Sequence, residues 1–388
     1  MQSWIMAAEQ LLPELTAIRR HLHQHPEVGF CEEQTSAFVC EFLQSQGINW
    51  RRVGKTGVVA EIDSGKPGAT IAFRADMDAL PVQEMNETDY VSQQAGVMHA
   101  CGHDAHTTTL LGTAKFLREH LDQWQGKVKL LFQPAEEAPP GGALGLIEAG
   151  VLEDVAAIYG LHVSPDLPVG QIGLSAGSIM ANSDNFRIRL IGSGGHGAAP
   201  HQTIDAVAIT CQLVNSLQTV VSRNVNPVDS AVLTVGMISG GTRFNIVAES
   251  CELRGTVRTL SLDTQAMVKA RILALTKAAA EANGAKYEFE YNYGYPAVIN
   301  PEQGVAIVKQ VGNQVLGEGN VVELAHPSMV GEDFGYYLRE KPGAFFWLGV
   351  HSQERPYYPL HNPRFDLAEA AMINGVRMFA ALVAHHAN

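Results

Sequence analysis

Asn185-Phe186-Arg187-Ile188-Arg189-Leu190-Ile191 alternates polar and apolar side chains. A period of two marks a half-buried strand, because successive side chains point to opposite faces. Downstream, Thr203–Val221 carries helical spacing and Ala231–Ile238 reads as a strand. Ser250–Thr259 alternates again, Asp263–Ala282 is a long helix, and Lys286–Tyr293 alternates strictly. The order is βαββαβ, the split βαβ unit of ferredoxin-like domains. It spans about 110 residues, enough for a domain of its own.

The flanks have a different character. Before this block, residues 4–22 and 35–46 read as helices, the second ended by Gly47. Val58–Ile62 and Thr70–Arg74 read as strands, Thr107–His120 as a helix, and Val128–Phe132 and Ala156–Val163 as strands. After it come a helix over 302–316, a strand at Ala344–Gly349 and a closing helix over 367–386. Strands alternating with helices imply an α/β sheet. The chain has 388 residues, more than the roughly 250–300 at which a single core stops growing. The reading is therefore one α/β domain, residues 1–182 and 294–388, interrupted by a smaller inserted domain, residues 183–293.

Composition narrows the class. Hydrophobic residues make up 46% and charged residues 17%, which excludes a disordered or fibrous chain. A net charge of -13 and the lack of any Lys/Arg cluster argue against a nucleic-acid partner. No run of apolar residues is long enough for a membrane span. The start, Met1-Gln2-Ser3-Trp4, lacks a basic leader, so a cytoplasmic protein is expected. Cys31, Cys40, Cys101, Cys211 and Cys251 form an odd set without a Cys-x-x-Cys pair, as free thiols or metal ligands.

The chemistry concentrates in Met98-His99-Ala100-Cys101-Gly102-His103-Asp104-Ala105-His106. Thiolate and imidazole are the natural ligands of zinc and related metals. Cys101 and His103 flank a glycine just before a helix, so both side chains can reach one small volume. Taken alone, the run fits a polar loop with structural histidines equally well. In Phe132-Gln133-Pro134-Ala135-Glu136-Glu137 a strand ends in adjacent carboxylates, where α/β proteins place their sites. One carboxylate could bind a metal while the other serves as a general base; a solvated acidic pair is the ordinary alternative. His162 in Tyr159-Gly160-Leu161-His162-Val163 reads by itself as a core histidine, and His361 in Pro359-Leu360-His361-Asn362 as a turn residue.

Together these segments resemble the M20 metallopeptidase superfamily, in particular its aminoacylase and hippurate-hydrolase-like branch of amidohydrolases. The likeness also runs through Arg19–Glu27, Arg74-Ala75-Asp76-Met77-Asp78-Ala79-Leu80-Pro81, Gly194–Pro200, Gly240–Asn245, Gly255–Arg258 and Gly331–Phe334. It implies a mixed-sheet, zinc-peptidase-like catalytic domain whose ferredoxin-like insert serves as lid and dimerisation domain. It further implies two divalent ions per subunit (Zn, Mn, Co or Ni) and hydrolysis of N-acyl amino acids. Cys101 corresponds to the bridging ligand, which other M20 branches supply as aspartate. By the same resemblance, Glu137 and His361 would complete one site, and His103 and His162 the other. Glu136 would be the general base. His196 would be the oxyanion donor, delivered to the partner subunit of a homodimer, and Asn245 and Arg258 would hold the substrate carboxylate. Asp76 and Asp78 stand where other branches have a ligand histidine and its orienting aspartate; Asp78 is then support for the ligands.

Other motifs are set aside. Gly173-Leu174-Ser175-Ala176-Gly177 has the G-x-S-x-G form, but no helical face follows it. Gly192–Gly197 has the G-x-G-x-x-G form, but Pro200 interrupts the helix that a dinucleotide site needs. His21, His23 and His25 read as structural, and His385 and His386 as a solvated tail.

Overall fold

The computed structural model describes residues 3–387; Met1, Gln2 and Asn388, at the limits of the expected outer domain and leader reading, lie outside the described residues. The chain forms two compact units. One comprises Met1–Ile179, Val298–Pro327 and Asp333–Asn388, and the other Met180–Ala297 with Ser328–Glu332. Ser328–Glu332 joins the second unit because the Ala181 N–H is shared by the carbonyls of Ser328 and Val330, at 3.0 and 3.2 Å.

The first unit is a mixed α/β structure around an eight-stranded sheet. Its order is Asn49–Val53, Gly57–Asp63, Lys127–Gln133, Thr70–Asp76, Val155–Pro168, Gly343–His351, Ile172–Leu174, Val321–Glu323. The four central strands run parallel, and antiparallel pairings flank them on both sides. The central strands are buried almost throughout, as apolar runs covered on both faces are. Register matters for the site: Asp76 pairs with Gln133, and Trp347 with His162. The chain thus leaves two neighbouring strands at the same level, with Asp78 and Glu136 just beyond.

Helix His103–Glu119 packs on strand Thr70–Asp76 and against helices Leu12–Gln24 and Ala371–His386. Leu110, Leu111, Phe116 and Leu117 are fully buried there, each worth about 1.5–3 kcal/mol. Gly112 permits the close approach: a Cβ there would sit 2.7 Å from Leu15 Cδ2 and 3.1 Å from Val376 Cγ2.

Several elements differ from expectation for physical reasons. The first helix is not continuous over 4–22. Ser3–Met6 passes into a 3₁₀ turn, Ala7–Leu11, and a new helix runs Leu12–Gln24. Pro13 sits in its first turn, where its missing N–H costs nothing. The helix expected at Thr107 begins at His103, since Gly102 takes φ 84° and turns the chain into it. The closing helix begins at Ala371 rather than at 367. The helix expected at Thr203 begins at Ala206, where Asp205 accepts the N–H groups of Val207 and Ala208. His386 is half-buried rather than solvated, its Nε2 2.8 Å from the Tyr159 hydroxyl.

The second unit has a four-stranded antiparallel sheet ordered Ala231–Gly240, Ser250–Thr259, Asp184–Ile191, Lys286–Asn292. Helices Ala206–Asn224 and Leu262–Ala282 pack on it. Phe186, Ile188 and Leu190 point into the core with Leu213, Leu217, Leu253 and Ile272. The alternate residues face out, where Arg187 pairs with Glu252 and Glu290 at 2.7 Å each. Gly195–His196 and Ile246–Val247 form a separate two-stranded ribbon.

Candidate metal centre

The centre is assembled in the first unit by two strand ends, one strand, one helix start and one loop. The Glu136 and Glu137 amides follow strand Lys127–Gln133 and donate to the Asp78 carboxylate at 3.0 and 2.8 Å. One carboxylate beyond one strand thus holds the two glutamates beyond its neighbour. Gly102, between Cys101 and His103, is costly to replace: beyond its positive φ, a Cβ would lie 2.4 Å from Val163 Cγ2. His361 is also left-handed, at φ 66°, and its N–H donates to the Ala100 carbonyl at 2.8 Å, which ties its loop to the Cys101 turn.

Hydrogen bonds select the histidine tautomers. His162 Nδ1–H donates to the Val163 carbonyl at 2.9 Å, which leaves the Nε2 lone pair 3.4 Å from Cys101 Sγ. His103 Nδ1–H donates to the Asp78 carbonyl at 2.9 Å, with Asp78 Oδ1 at 3.2 Å. His103 Nε2 is buried without a hydrogen-bond partner. This is how metal-binding imidazoles are oriented, with the far nitrogen fixed by a hydrogen bond.

The donor atoms of Cys101, His103 and His162 lie within 4.8 Å of one another, as do those of Cys101, Glu137 and His361. His103, Glu136 and Glu137 form a third such group. Burial, reinforced by Glu137 and Glu136, pushes the Cys101 thiol well above its usual range. Burial also disfavours charge on His103, but Asp76 and then Asp78 outweigh it and hold the imidazole at about 10. His162 is driven well below its ordinary value by burial and by His106. A buried thiol among carboxylates, beside an imidazole Nε2 that has no hydrogen-bond partner, fits a divalent cation, which would favour the thiolate and take the place of the His103 proton.

Asp76 lies beside the centre, its Oδ2 3.6 Å from His103 Nε2, and with His103 and His106 forms a further donor group. It accepts Arg74 Nη1 at 2.5 Å and His106 Nδ1–H at 2.6 Å, while His106 Nε2 accepts the Val163 N–H at 2.9 Å. Burial opposes its charge, yet Arg74, His103 and His106 hold its carboxyl well below the usual range. Arg74 also reaches Gln133 at 2.9 Å and Asp333 at 2.7 Å. Behind the helix start, Asp104 takes Arg19 and His23 at 2.8 Å each, so His23 is a buried structural residue. Sequence reasoning gave no role to Arg74, His106 or Asp104, although all three stand inside the motifs; their spacing does not show which partner each one meets.

His196, Asn245 and Arg258 belong to the second unit. His196 is exposed on the two-stranded ribbon, and its Nδ1 accepts the Ala198 N–H at 3.0 Å, which leaves Nε2 as the proton-bearing donor. Asn245 is exposed beside it, and its backbone carbonyl accepts the Gly197 N–H at 2.9 Å. Arg258 is half-buried, its Nη1 donating to the Thr256 hydroxyl and to the Val257 carbonyl. Ser175 lies between two strands, Ile172–Leu174 and Gly177–Met180, which is not a nucleophile-elbow setting.

Residues 72–385 match peptidase family M20/M25/M40. The N-acyl-L-amino acid amidohydrolase of Geobacillus stearothermophilus is 47% identical over 297 residues, 76% of this chain and 80% of that protein. The N-acetyl-L-cysteine deacetylase of Bacillus subtilis is 42% identical over 361 residues, 93% of this chain and 85% of that protein. The solved structure of the Bacillus subtilis YXEP protein, a dinuclear metal binding peptidase from the M20 family, superposes with a TM-score of 0.86. It is 35% identical and covers 97% of this chain and 99% of its own. With the family matched over most of its length and these relatives aligned across it, the chain belongs to peptidase family M20/M25/M40.

Proposed function

We propose that the protein is a dinuclear-metal amidohydrolase that cleaves the amide bond of N-acyl amino acids, whether N-acetyl or aryl-acyl. The observation that carries this is the sharing of Cys101 between two donor sets, with Glu136 beside them. The relatives named above act on the same class of bond by their descriptions. Cys101, Glu137 and His361 would hold one ion and Cys101, His103 and His162 the other, as Zn, Mn, Co or Ni. When bound, the pair acidifies water and polarises the scissile carbonyl.

Glu136 takes the proton of the attacking water as its oxygen bonds to the carbonyl carbon. It returns that proton to the amine nitrogen as the C–N bond breaks. Asp78 keeps Glu136 and Glu137 in place through their amides. His196 of the partner subunit offers Nε2–H to the developing oxyanion, and Asn245 and Arg258 bind the substrate carboxylate, Arg258 through its planar fork. The second unit acts as lid and as dimerisation module of a homodimer. In support, Ala231–Gly240 is an edge strand with Met237 and Ile238 exposed, the kind of edge that pairs with another chain. All five cysteines are free, in keeping with a cytoplasmic enzyme.

The test is release of free amino acid from a panel of N-acyl amino acids by metal-free protein reconstituted with each ion. Metal-dependent release that Glu136→Gln abolishes, with metal content unchanged, is the expected result. Full activity in that variant, or no release with any ion, overturns the reading.

A further inference from the structure

Glu32 is a fully buried carboxylate outside both donor sets. Its Oε1 accepts the N–H of Phe30 at 3.0 Å and that of Ala135 at 2.7 Å, and its Oε2 accepts the Thr56 hydroxyl at 2.8 Å. Phe30 and Ala135, at φ 63° and 55°, are two of the three non-glycine residues with left-handed backbone among the described residues. Without support, that conformation is disfavoured by roughly five- to thirty-fold in a residue with a Cβ. One carboxylate oxygen therefore holds two strained turns at once. The turns also touch: a Cβ on Gly29 would lie 2.7 Å from Ala138 Cβ and 3.2 Å from Ala135 Cα. Ala135 immediately precedes Glu136 and Glu137.

We propose that Glu32 is a positioning residue: by holding the Ala135 N–H it maintains the left-handed turn that aims Glu136 and Glu137 at the metal centre. This rests on the role proposed above for Glu136. Asp78 fixes the amides of Glu136 and Glu137, and Glu32 fixes the residue before them, so three successive N–H groups are held by two buried carboxylates. A carboxylate suits the post because three donors converge on it and it offers only acceptors.

The experiment compares wild type with Glu32→Gln, Ala135→Gly, the double variant and Gly29→Ala. Three quantities are read: kcat and KM on an N-acyl amino acid, bound metal, and amide hydrogen exchange of Ala135, Glu136 and Glu137 in metal-free protein. Glu32→Gln should lower kcat about tenfold, the worth of roughly one hydrogen bond, with KM little changed. Exchange in this segment should rise by about the same factor. Gly29→Ala, which alters no hydrogen-bonding group, should act in the same direction by displacing the turn. Ala135→Gly should recover most of the Glu32→Gln loss, since glycine takes positive φ at no steric cost; a general loss of packing would not be rescued this way. Wild-type kcat and exchange in Glu32→Gln, or no rescue by glycine, overturns the proposal. A wild-type protein that releases no amino acid overturns the function instead, and the exchange measurement still decides whether Glu32 holds the turn.

Discussion

The proton balance of metal loading is the sharpest consequence of the site's electrostatics. In the metal-free protein Cys101 is a thiol, pushed well above its usual range by burial and by Glu137 and Glu136. His103 is an imidazolium, held at about 10 by Asp76 and Asp78 against burial. His162 is already neutral, kept so by burial and by His106, and Glu137 is already ionised, held low chiefly by His361 and His103 against its own burial. Metal binds thiolate and neutral imidazole. Loading the Cys101–His103–His162 set near pH 7 must therefore expel two protons, one from Cys101 and one from His103, and none from His162. Affinity should then rise about a hundredfold per pH unit, or about 2.7 kcal/mol, until the pH nears the pKa of His103. Calorimetric titration of metal-free protein in buffers of different ionisation enthalpy counts the protons directly. The Cys101→Ser variant should lose metal affinity, and the ion that it still takes up should release close to one proton. Proton release near zero in the wild type, or an affinity independent of pH between 6 and 8, would refute the assignment of Cys101 and His103 as protonated donors.

Three further outcomes follow from named contacts. Gly102→Ala combines a left-handed residue, about 1–2 kcal/mol, with a Cβ 2.4 Å from Val163 Cγ2, about 1–3 kcal/mol of overpacking; thermal unfolding should show a loss of several kcal/mol, with metal retention impaired. Asp78→Asn sets an amide NH₂ against a backbone N–H and should weaken metal binding or kcat about 10–100-fold, as read by chelator competition and steady-state kinetics. Asp104→Asn takes from buried Arg19 its closest carboxylate, at 2.8 Å, and leaves it Asp366 at 3.1 Å; it should cost about 1.5–3 kcal/mol in denaturant unfolding at neutral pH. Burial opposes the charge on Asp104, but Arg19 and His23 hold its carboxyl far below the usual range. Its contribution to stability is therefore present above about pH 4 and lost as the pH falls, so the variant's deficit should shrink in acid.

Periodicity carried most of the fold because burial follows it. Phe186, Ile188 and Leu190 alternate and are all buried, and the helix over residues 302–316 and the strand over 250–259 have the bounds that their patterns imply. Elements without a pattern were invisible. Asn49–Val53 pairs only through its backbone and exposes most of its side chains, including Trp50, Arg51 and Arg52, while Ile172–Leu174 and Val321–Glu323 are three residues long. The candidate donors could be named because they cluster in short motifs. Glu32, Arg74 and Asp104 could not be placed, since what defines them is a partner between 2 and 259 residues away in sequence.

The start of helix His103–Glu119 shows why a polar segment can still be core. His103, Asp104 and His106 have no apolar periodicity, and hydrophobic patterning places the helix start at Thr107. All three are nonetheless buried, because each side chain has a designated partner: Asp78, Arg19 with His23, and Asp76. Burying such groups costs several kcal/mol if any partner is missing. The buried first turn of the helix is therefore stable only together with strand Thr70–Asp76 and helix Leu12–Gln24, which carry or lead to its partners. Stability of the fold and geometry of the metal centre are thus one network. A substitution at Arg19, 85 residues before Asp104 in sequence, should disturb His103 as surely as one beside it, and bound metal in Arg19→Met measured against thermal unfolding separates the two effects.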